Sequence, residues 1–252
     1  MDNRVADLDA LLGSAAIAAD VSALRPDYRA LLIAVDGLEP GPSDHTSEVL
    51  LVRAEAIGRD VLAAGPVEDE PHVAAWREAY RSFGAKPQRT RNSLEALLRR
   101  SESGLPRVNR LTDIYNAISV IHLVPLGGED LSRYVGPPRL IRAVGTESFD
   151  TTADGADVIE HAEPGEVVWC DDAGVTCRRW NWRQARRTAL RDDTTSAVFI
   201  LDVLDPMTDD GLVAAGIELI EYLRGLGPDV RVAQRLLRAS TPGWPDSSTR
   251  DE

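Results

Sequence analysis

The sequence predicts an α+β fold: a mixed or antiparallel sheet covered by helices, with further helices at both ends. Three features lead there. Apolar residues recur at helical spacing through most of the first half. Short apolar runs of strand length dominate the stretch from 139 to 204, and two of them flank a glycine-bearing turn. The 43% apolar content of a 252-residue chain is enough for a sizeable core.

Taken in order, residues 4–18 read as a short helix and residues 30–35 (Ala-Leu-Leu-Ile-Ala-Val) as a buried strand. After the turn at Glu39-Pro40-Gly41-Pro42, Thr46 or Ser47 caps a helix to about residue 64, with Leu50, Ala54, Ile57 and Val61 on one face. Val73, Trp76, Tyr80 and Phe83 mark the next helix, and Gly84 suits its C′ position. Asn92 and Glu95 make a capping-box-like start to a helix that Gly104 and Pro106 end. Residues 110–122 form a helix with Leu111, Ile114, Ile118 and Ile121 inward, on which Thr112, Asn116 and Ser119 make a neutral polar stripe. Gly127-Gly128-Glu129-Asp130 reads as a turn. Residues 139–144, 166–170, 175–182 and 197–204 read as strands, the middle two joined by the hairpin connection Asp171-Asp-Ala-Gly174. Asp209 caps a last helix to about residue 226, and the tail from Ser240 reads as loose. This divides the chain into an N-terminal extension (1–69), a central domain (70–208) and a C-terminal helix with its tail (209–252).

Composition narrows the function. No apolar run approaches the ~20 residues that span a bilayer, and no signal segment opens the chain, so a cytoplasmic protein without membrane contact is expected. Cys170 and Cys177 are too few for a disulfide framework or a four-ligand zinc site, and His45, His72, His122 and His161 lack ligand spacing, so neither metal nor cofactor is expected. The formal charge of −13 argues at first against a polyanionic partner. The charge is uneven, however. Residues 71–145 are net +6, residues 146–177 net −9, and residues 178–191 carry six arginines and no acid. Two basic islands in an acidic chain suit one face that meets nucleic acid. They suit equally well arginines paired with the neighbouring acids.

A set of colinear motifs carries a family resemblance. Leu105-Pro-Arg-Val-Asn-Arg-Leu-Thr-Asp-Ile-Tyr-Asn116 and Val124-Pro-Leu-Gly-Gly-Glu-Asp130 resemble two segments of the B3/B4 editing domain of phenylalanyl-tRNA synthetase β-subunits. Trp76, Tyr80, Phe83-Gly84, Ser93-Leu-Glu-Ala-Leu-Leu98, Gly165-Glu166 and Trp180-Asn-Trp-Arg183 are similar to members of that family that stand apart from the synthetase. The resemblance covers roughly residues 70–205. It implies an α+β editing domain, a tRNA partner through its aminoacylated 3′ end, and hydrolysis of the ester of a mischarged tRNA without ligase activity. Two positions bear on chemistry. The synthetase histidine falls at Gly127, which offers no side chain, and the family's acid near the end of the last strand falls at about Asp202. The synthetase's amino-acid specificity therefore does not transfer.

The residues themselves suggest roles. In an extended chain Arg179, Asn181 and Arg183 point one way and Arg178, Trp180 and Trp182 the other. Guanidinium groups bind phosphate and indole rings stack on bases, which suits an RNA 3′ end. The competing reading is a strand with core tryptophans and acid-paired arginines. Asn116 and Ser119 would line a pocket, or have their polarity met by neighbouring backbone. The Gly127-Gly128 backbone could hold a carboxylate or oxyanion, and Glu129 could act as a base. The expected chemistry is thus trans-acting deacylation, with Asn116, Asp202 and Glu129 as the catalytic set. Ser119, Gly127, Gly128, Arg179, Trp180, Asn181, Trp182 and Arg183 are expected to bind substrate, and Asp202 to take the amino acid's ammonium group. The alternatives are a non-catalytic module for RNA or a free amino acid, and an acidic protein–protein adaptor. The oligomeric state is not legible.

Overall fold

A computed structural model describes residues 7–239; the tail read as loose lies outside the described residues. Its centre is an antiparallel four-stranded sheet of Arg29–Asp36 (β2), Leu126–Asp130 (β3), Ser196–Val203 (β10) and Arg231–Arg238 (β11), in the order β11-β2-β10-β3. The interior strands β2 and β10 are apolar almost throughout, as strands covered on both faces must be. A second, mixed sheet has the order β1-β4-β7-β8-β9, formed by Ala16–Ile17 (β1), Arg139–Arg142 (β4), Val167–Asp171 (β7), Gly174–Arg178 (β8) and Arg183–Gln184 (β9). In it β1 runs parallel to β4 and the remaining pairs are antiparallel. Ser148–Ala153 (β5) and Ala156–His161 (β6) form a separate hairpin. The architecture is the α+β one expected.

Strand alternation sets the layers. Leu31, Ile33 and Val35 of β2 and Phe199, Leu201 and Val203 of β10 face a helical layer. That layer contains His45–Ala64 (α3), Ser93–Leu98 (α5), Arg110–Ile121 (α6) and Asp209–Arg224 (α7). Leu32, Ala34, Val198 and Ile200 face the other way. They meet Leu140, Val167, Trp169 and Cys177 of the mixed sheet, together with Leu8–Gly13 (α1) and Pro71–Ser82 (α4). At the heart of this second core an aromatic cluster joins Tyr28, Trp76 and Trp180. Trp180's ring centre is 4.9 Å from Tyr28's and 5.4 Å from Trp76's, both edge-on.

Caps explain the helix starts. Asp44, not Thr46 or Ser47, caps α3 through Ser47 N–H, and Ser47 completes the capping box. Asn92 caps α5 as expected, but the helix stops at Leu98, well before Gly104. Thr208 rather than Asp209 caps α7. Of the helix read over 4–18, the described residues form α1 and then the strand residues of β1.

Two departures shape the site. Leu126–Asp130 is a strand, not a turn, and pairs with β10. Gly128 is glycine because a Cβ there would stand 2.7 Å from the Phe199 ring and 2.9 Å from Leu190, so the sheet face closes tightly over it. The strand read over 175–182 ends at Arg178. Arg179 (φ 48°) and Trp180 (φ 69°) adopt left-handed conformations, and the Trp180 N–H turns back to the Val167 carbonyl at 2.6 Å. The in–out alternation of Arg178–Arg183 is therefore replaced by a turn that drives Trp180 into the core, where it is fully buried.

We expect Trp180→Ala to cost about 3–5 kcal/mol in urea unfolding, the range for a large buried aromatic. A loss under ~1 kcal/mol, the scale of surface changes, would show that the aromatic cluster does not hold the two layers together.

Candidate active site

The turn after β8, the inner faces of β3, β7 and β10, and helices α5 and α6 enclose a cavity of ≈ 290 Å³. Several sequence-predicted residues meet there: Asn116, Gly127, Glu129, Trp180, Asn181, Trp182 and Asp202. Ser93, Arg100, Tyr115, Trp169, Cys177 and Gln184 also line it and went unrecognised as site residues. Gln184 directly follows the Trp-Asn-Trp-Arg segment, so its position beside that motif was the available signal.

The two acids are placed by the sheet. Glu129 stands opposite Val198 and Asp202 lies four residues further along β10, so both project from the face that meets the mixed sheet. Asp202 Oδ1 accepts from the Tyr28 hydroxyl at 2.5 Å and the Trp169 indole at 3.4 Å. Glu129 Oε2 accepts from the Tyr134 hydroxyl. The Asn181 side chain also lies against Asp202, and the Thr176 hydroxyl against Glu129, and each favours the charged carboxylate. Burial pushes both carboxyls up to about 7, against the opposing pull of those donors. Tyr28 and Tyr134 are raised well above the ordinary phenol range, chiefly by the same burial.

Unsatisfied donors share this cavity. The Asn181 amide nitrogen, the Trp180 indole nitrogen and the Ser93 hydroxyl are buried with no hydrogen-bond partner. The Asn181 amide lies toward Asp202 and the Trp180 indole toward Tyr28 without completing a hydrogen bond, and the Ser93 hydroxyl has no partner, so these buried donors remain open to a ligand or water that supplies acceptors. Asn181 Oδ1 is fixed by the Tyr80 hydroxyl at 2.9 Å, which fixes the direction of its amide group. Gln184 Nε2 donates to the Gly128 carbonyl at 2.9 Å, and a Cβ on Gly127 would lie 2.9 Å from that nitrogen. The glycine thus makes room for the glutamine, which bridges β9 to β3 across the cavity wall.

Other predicted residues lie outside it. The Ser119 hydroxyl is fully buried and donates to the Val124 carbonyl at 2.6 Å, so its polarity is met by backbone. Gly128 contributes its carbonyl to Gln184 and does not line the cavity. Arg179 reaches the Thr90 hydroxyl and stacks on the Trp182 ring at 4.5 Å, buttressing a wall residue from outside. Arg183 donates to the Thr152 carbonyl at 3.0 Å.

The arginine-rich island is largely neutralised within the fold. Arg178 pairs with Glu166 at 2.8 Å and Glu160 at 2.9 Å, Arg186 with Asp150 and Asp157, and Arg187 with Asp171 at 2.8 Å. These acids belong to the −9 segment, so the pairing alternative accounts for most of that island. The other island differs. Arg81, Lys86, Arg89 and Arg100 are exposed and have no ion pair among the described residues, and Arg100 stands on the cavity rim.

The remaining titratable groups are structural. His72 Nδ1 donates to the Leu123 carbonyl at 2.8 Å while Nε2 accepts from the Trp76 indole and the Leu204 N–H, and burial lowers its pKa to about 4. His122 is bound to Glu218 at 2.7 Å and does not line the cavity. Burial raises Cys170 to about 11 and Cys177 well above its ordinary value, so neither thiol is a ready nucleophile.

The B3/4 domain family profile matches residues 75–210, more than half of the chain. The chain belongs to the B3/4 domain family. The matched segment carries α4, α5, α6, β3 and β10, and so most of the cavity wall. Among solved structures, the N-terminal fragment of the phenylalanyl-tRNA synthetase β-subunit from Pyrococcus horikoshii is similar at 11% identity and a TM-score of 0.44. That similarity covers 87% of this chain and 50% of the other, so the B3/4 chain spans half the length of that fragment. No curated protein matches the sequence. Among the described residues no helix is long and apolar enough to cross a membrane.

The raised acids give a signed pH dependence. Folding lifts both pKa values from 3.8 and 4.5 to about 7, so the folded chain holds protons that the unfolded chain releases. Stability should therefore fall as pH rises from about 4 through 7. We expect Asp202→Asn to shrink the difference in unfolding midpoint between pH 5 and pH 8, and to unfold later than wild type at pH 8. An unchanged pH slope would mean that Asp202 stays ionised in the folded chain.

Proposed function

We propose that the cavity receives the aminoacylated 3′ end of a tRNA and that the chain hydrolyses the ester linking amino acid to ribose. One observation carries this reading: an amide donor on Asn181 that makes no full hydrogen bond lies beside a buried acid, Asp202, that has no ion pair among the described residues. An aminoacyl ester presents both complements, an ammonium group for the acid and a carbonyl oxygen for the amide. Membership of the B3/4 domain family, together with the motif resemblance to a synthetase editing domain, supports the same class of ligand. The exposed basic residues of 81–100 are positioned to meet phosphates, with Arg100 at the rim and Trp182 available to an entering base.

In this mechanism Asp202 anchors the ammonium group. Asn181, aided by Asn116, donates to the carbonyl oxygen as negative charge grows on it, a contact worth a few kcal/mol in a water-poor site. Gly127 brings no side chain, Cys177 is held as a thiol, and the Ser93 hydroxyl has no hydrogen-bonded base to activate it, so no activated protein nucleophile serves the ester. Water attacks, assisted by the neighbouring free hydroxyl of the ribose. The missing nucleophile is also what favours the second reading, a module that binds the same end without hydrolysing it.

A deacylation screen against mischarged tRNAs separates the two. Asn181→Ala and Asp202→Asn should slow release by ~10²–10³-fold, His122→Ala should leave it unchanged, and removal of the neighbouring ribose hydroxyl should cost at least as much as any single variant. Undiminished hydrolysis of the deoxy substrate would contradict the substrate-assisted step. Binding without release from any tRNA would leave the binding module. In the same assay Arg100→Ala should lower tRNA affinity and reduce the salt slope by about 1; an affinity indifferent to both salt and Arg100 would remove RNA as the partner.

A further inference from the structure

Two acids, rather than one, face the cavity, and the proposed ester uses only one of them. Neither has an ion pair among the described residues. The side chains that meet them are all neutral: Tyr28, Trp169 and Asn181 at Asp202, and Tyr134 and Thr176 at Glu129. The arginines nearby are committed elsewhere: Arg187 is paired with Asp171, and Arg178 with Glu160 and Glu166. Buried acids are ordinarily paired, so two without an ion pair in a single cavity are two places where a cationic group would supply the missing partner, releasing the proton that each acid otherwise holds.

Their separation indicates how that charge is distributed. Glu129 is opposite Val198 and Asp202 is four residues along the same strand, so the two backbone positions lie about 13 Å apart along β10 at the ordinary strand rise. They are not a carboxyl pair sharing one proton. They are two single-charge stations at different points of one cavity. The wall between and around them is aromatic, with Trp169, Trp180, Trp182 and Tyr115 contributing, and ring faces attract cations. A ligand with one ammonium group satisfies one acid and leaves the other facing an apolar side chain. A ligand with positive groups at both ends satisfies both.

From this geometry we infer that the amino acid carried into the cavity has a basic side chain: its α-ammonium group meets Asp202 and its side-chain cation meets Glu129. The inference rests on the reading of the cavity as an aminoacyl site and adds the class of amino acid to it. It also gives Glu129 a role distinct from a general base. A base would matter for every substrate, whereas a charge partner matters only for those with a cationic side chain.

Non-hydrolysable 3′-aminoacylamino-adenosines test this by calorimetry on the full chain. The lysyl, arginyl, norleucyl and phenylalanyl derivatives are compared, norleucine being close to lysine in shape without its charge. Wild type should bind the lysyl or arginyl derivative at least ~10-fold more tightly than the norleucyl one, a ratio equivalent to ~1.4 kcal/mol. Glu129→Gln should erase that ratio while leaving norleucyl affinity within about threefold. Equal or tighter binding of the norleucyl or phenylalanyl derivative by wild type would overturn the basic-side-chain assignment and leave the aminoacyl site standing. This comparison needs no variant, so it decides the matter even if Glu129→Gln fails to fold. Loss of affinity for all derivatives alike in a folded Glu129→Gln would also overturn it. Failure of all four derivatives to bind wild type would remove both the assignment and the aminoacyl site beneath it.

Discussion

The cavity depends on the pairing of β10 with β2 and β3. That pairing fixes which side chains of β10 face the helices and which face the mixed sheet, and a slip of one residue would exchange the two sets. With the observed register, Phe199, Leu201 and Val203 go to the helical core, while Val198, Ile200 and Asp202 go to the inter-sheet space. Glu129 follows because it stands beside Val198. An acid thus enters an apolar layer not by exposure but by register, and the layer's low polarity raises its pKa. Tyr28 and Trp169 offset part of that cost by donating to Asp202. The uncompensated part is what keeps the carboxyl's pKa raised.

The arginine clamp on the mixed sheet completes the enclosure. Arg178, bonded twice to Glu166 and once to Glu160, ends β8, and the chain then reverses through two left-handed residues. Left-handed conformations are costly for side chains of this size and are kept only where surroundings impose them. Here they place Trp180 in the aromatic cluster and aim the Asn181 amide into the cavity. Much of the chain's charge asymmetry therefore serves folding. The −9 and +6 segments flanking residue 178 largely neutralise each other, and it is the 81–100 stretch that leaves cations open to a partner.

Much of this was legible in the sequence where a physical signal was strong. The helical periodicities of α3, α4, α6 and α7 and the apolar runs of β2, β7 and β10 stand where the pattern put them, give or take their ends. Asn116, Asp202 and the Trp180–Trp182 segment do line one cavity. What was hidden has identifiable causes. Leu126–Asp130 looked like a turn because paired glycines usually make one, whereas here they answer the crowding of Phe199 and Gln184. β11, Arg-Val-Ala-Gln-Arg-Leu-Leu-Arg, is an edge strand whose polar residues blur its alternation, and β6 is exposed along most of its length. The alternation expected of Arg178–Arg183 failed because no local pattern encodes two left-handed residues. Ser119 looked like pocket lining because a polar group on an apolar helix needs a partner, and the Val124 carbonyl, five residues on, supplies it.

What occupies the space between the two sheets decides whether this cavity is an aminoacyl site. A crystal of the chain soaked with a 3′-aminoacylamino-adenosine addresses this directly. Density should fill the cavity, with the ligand's ammonium group within hydrogen-bond distance of Asp202 and its carbonyl oxygen on the Asn181 amide. An empty cavity with the same molecule bound elsewhere would contradict it.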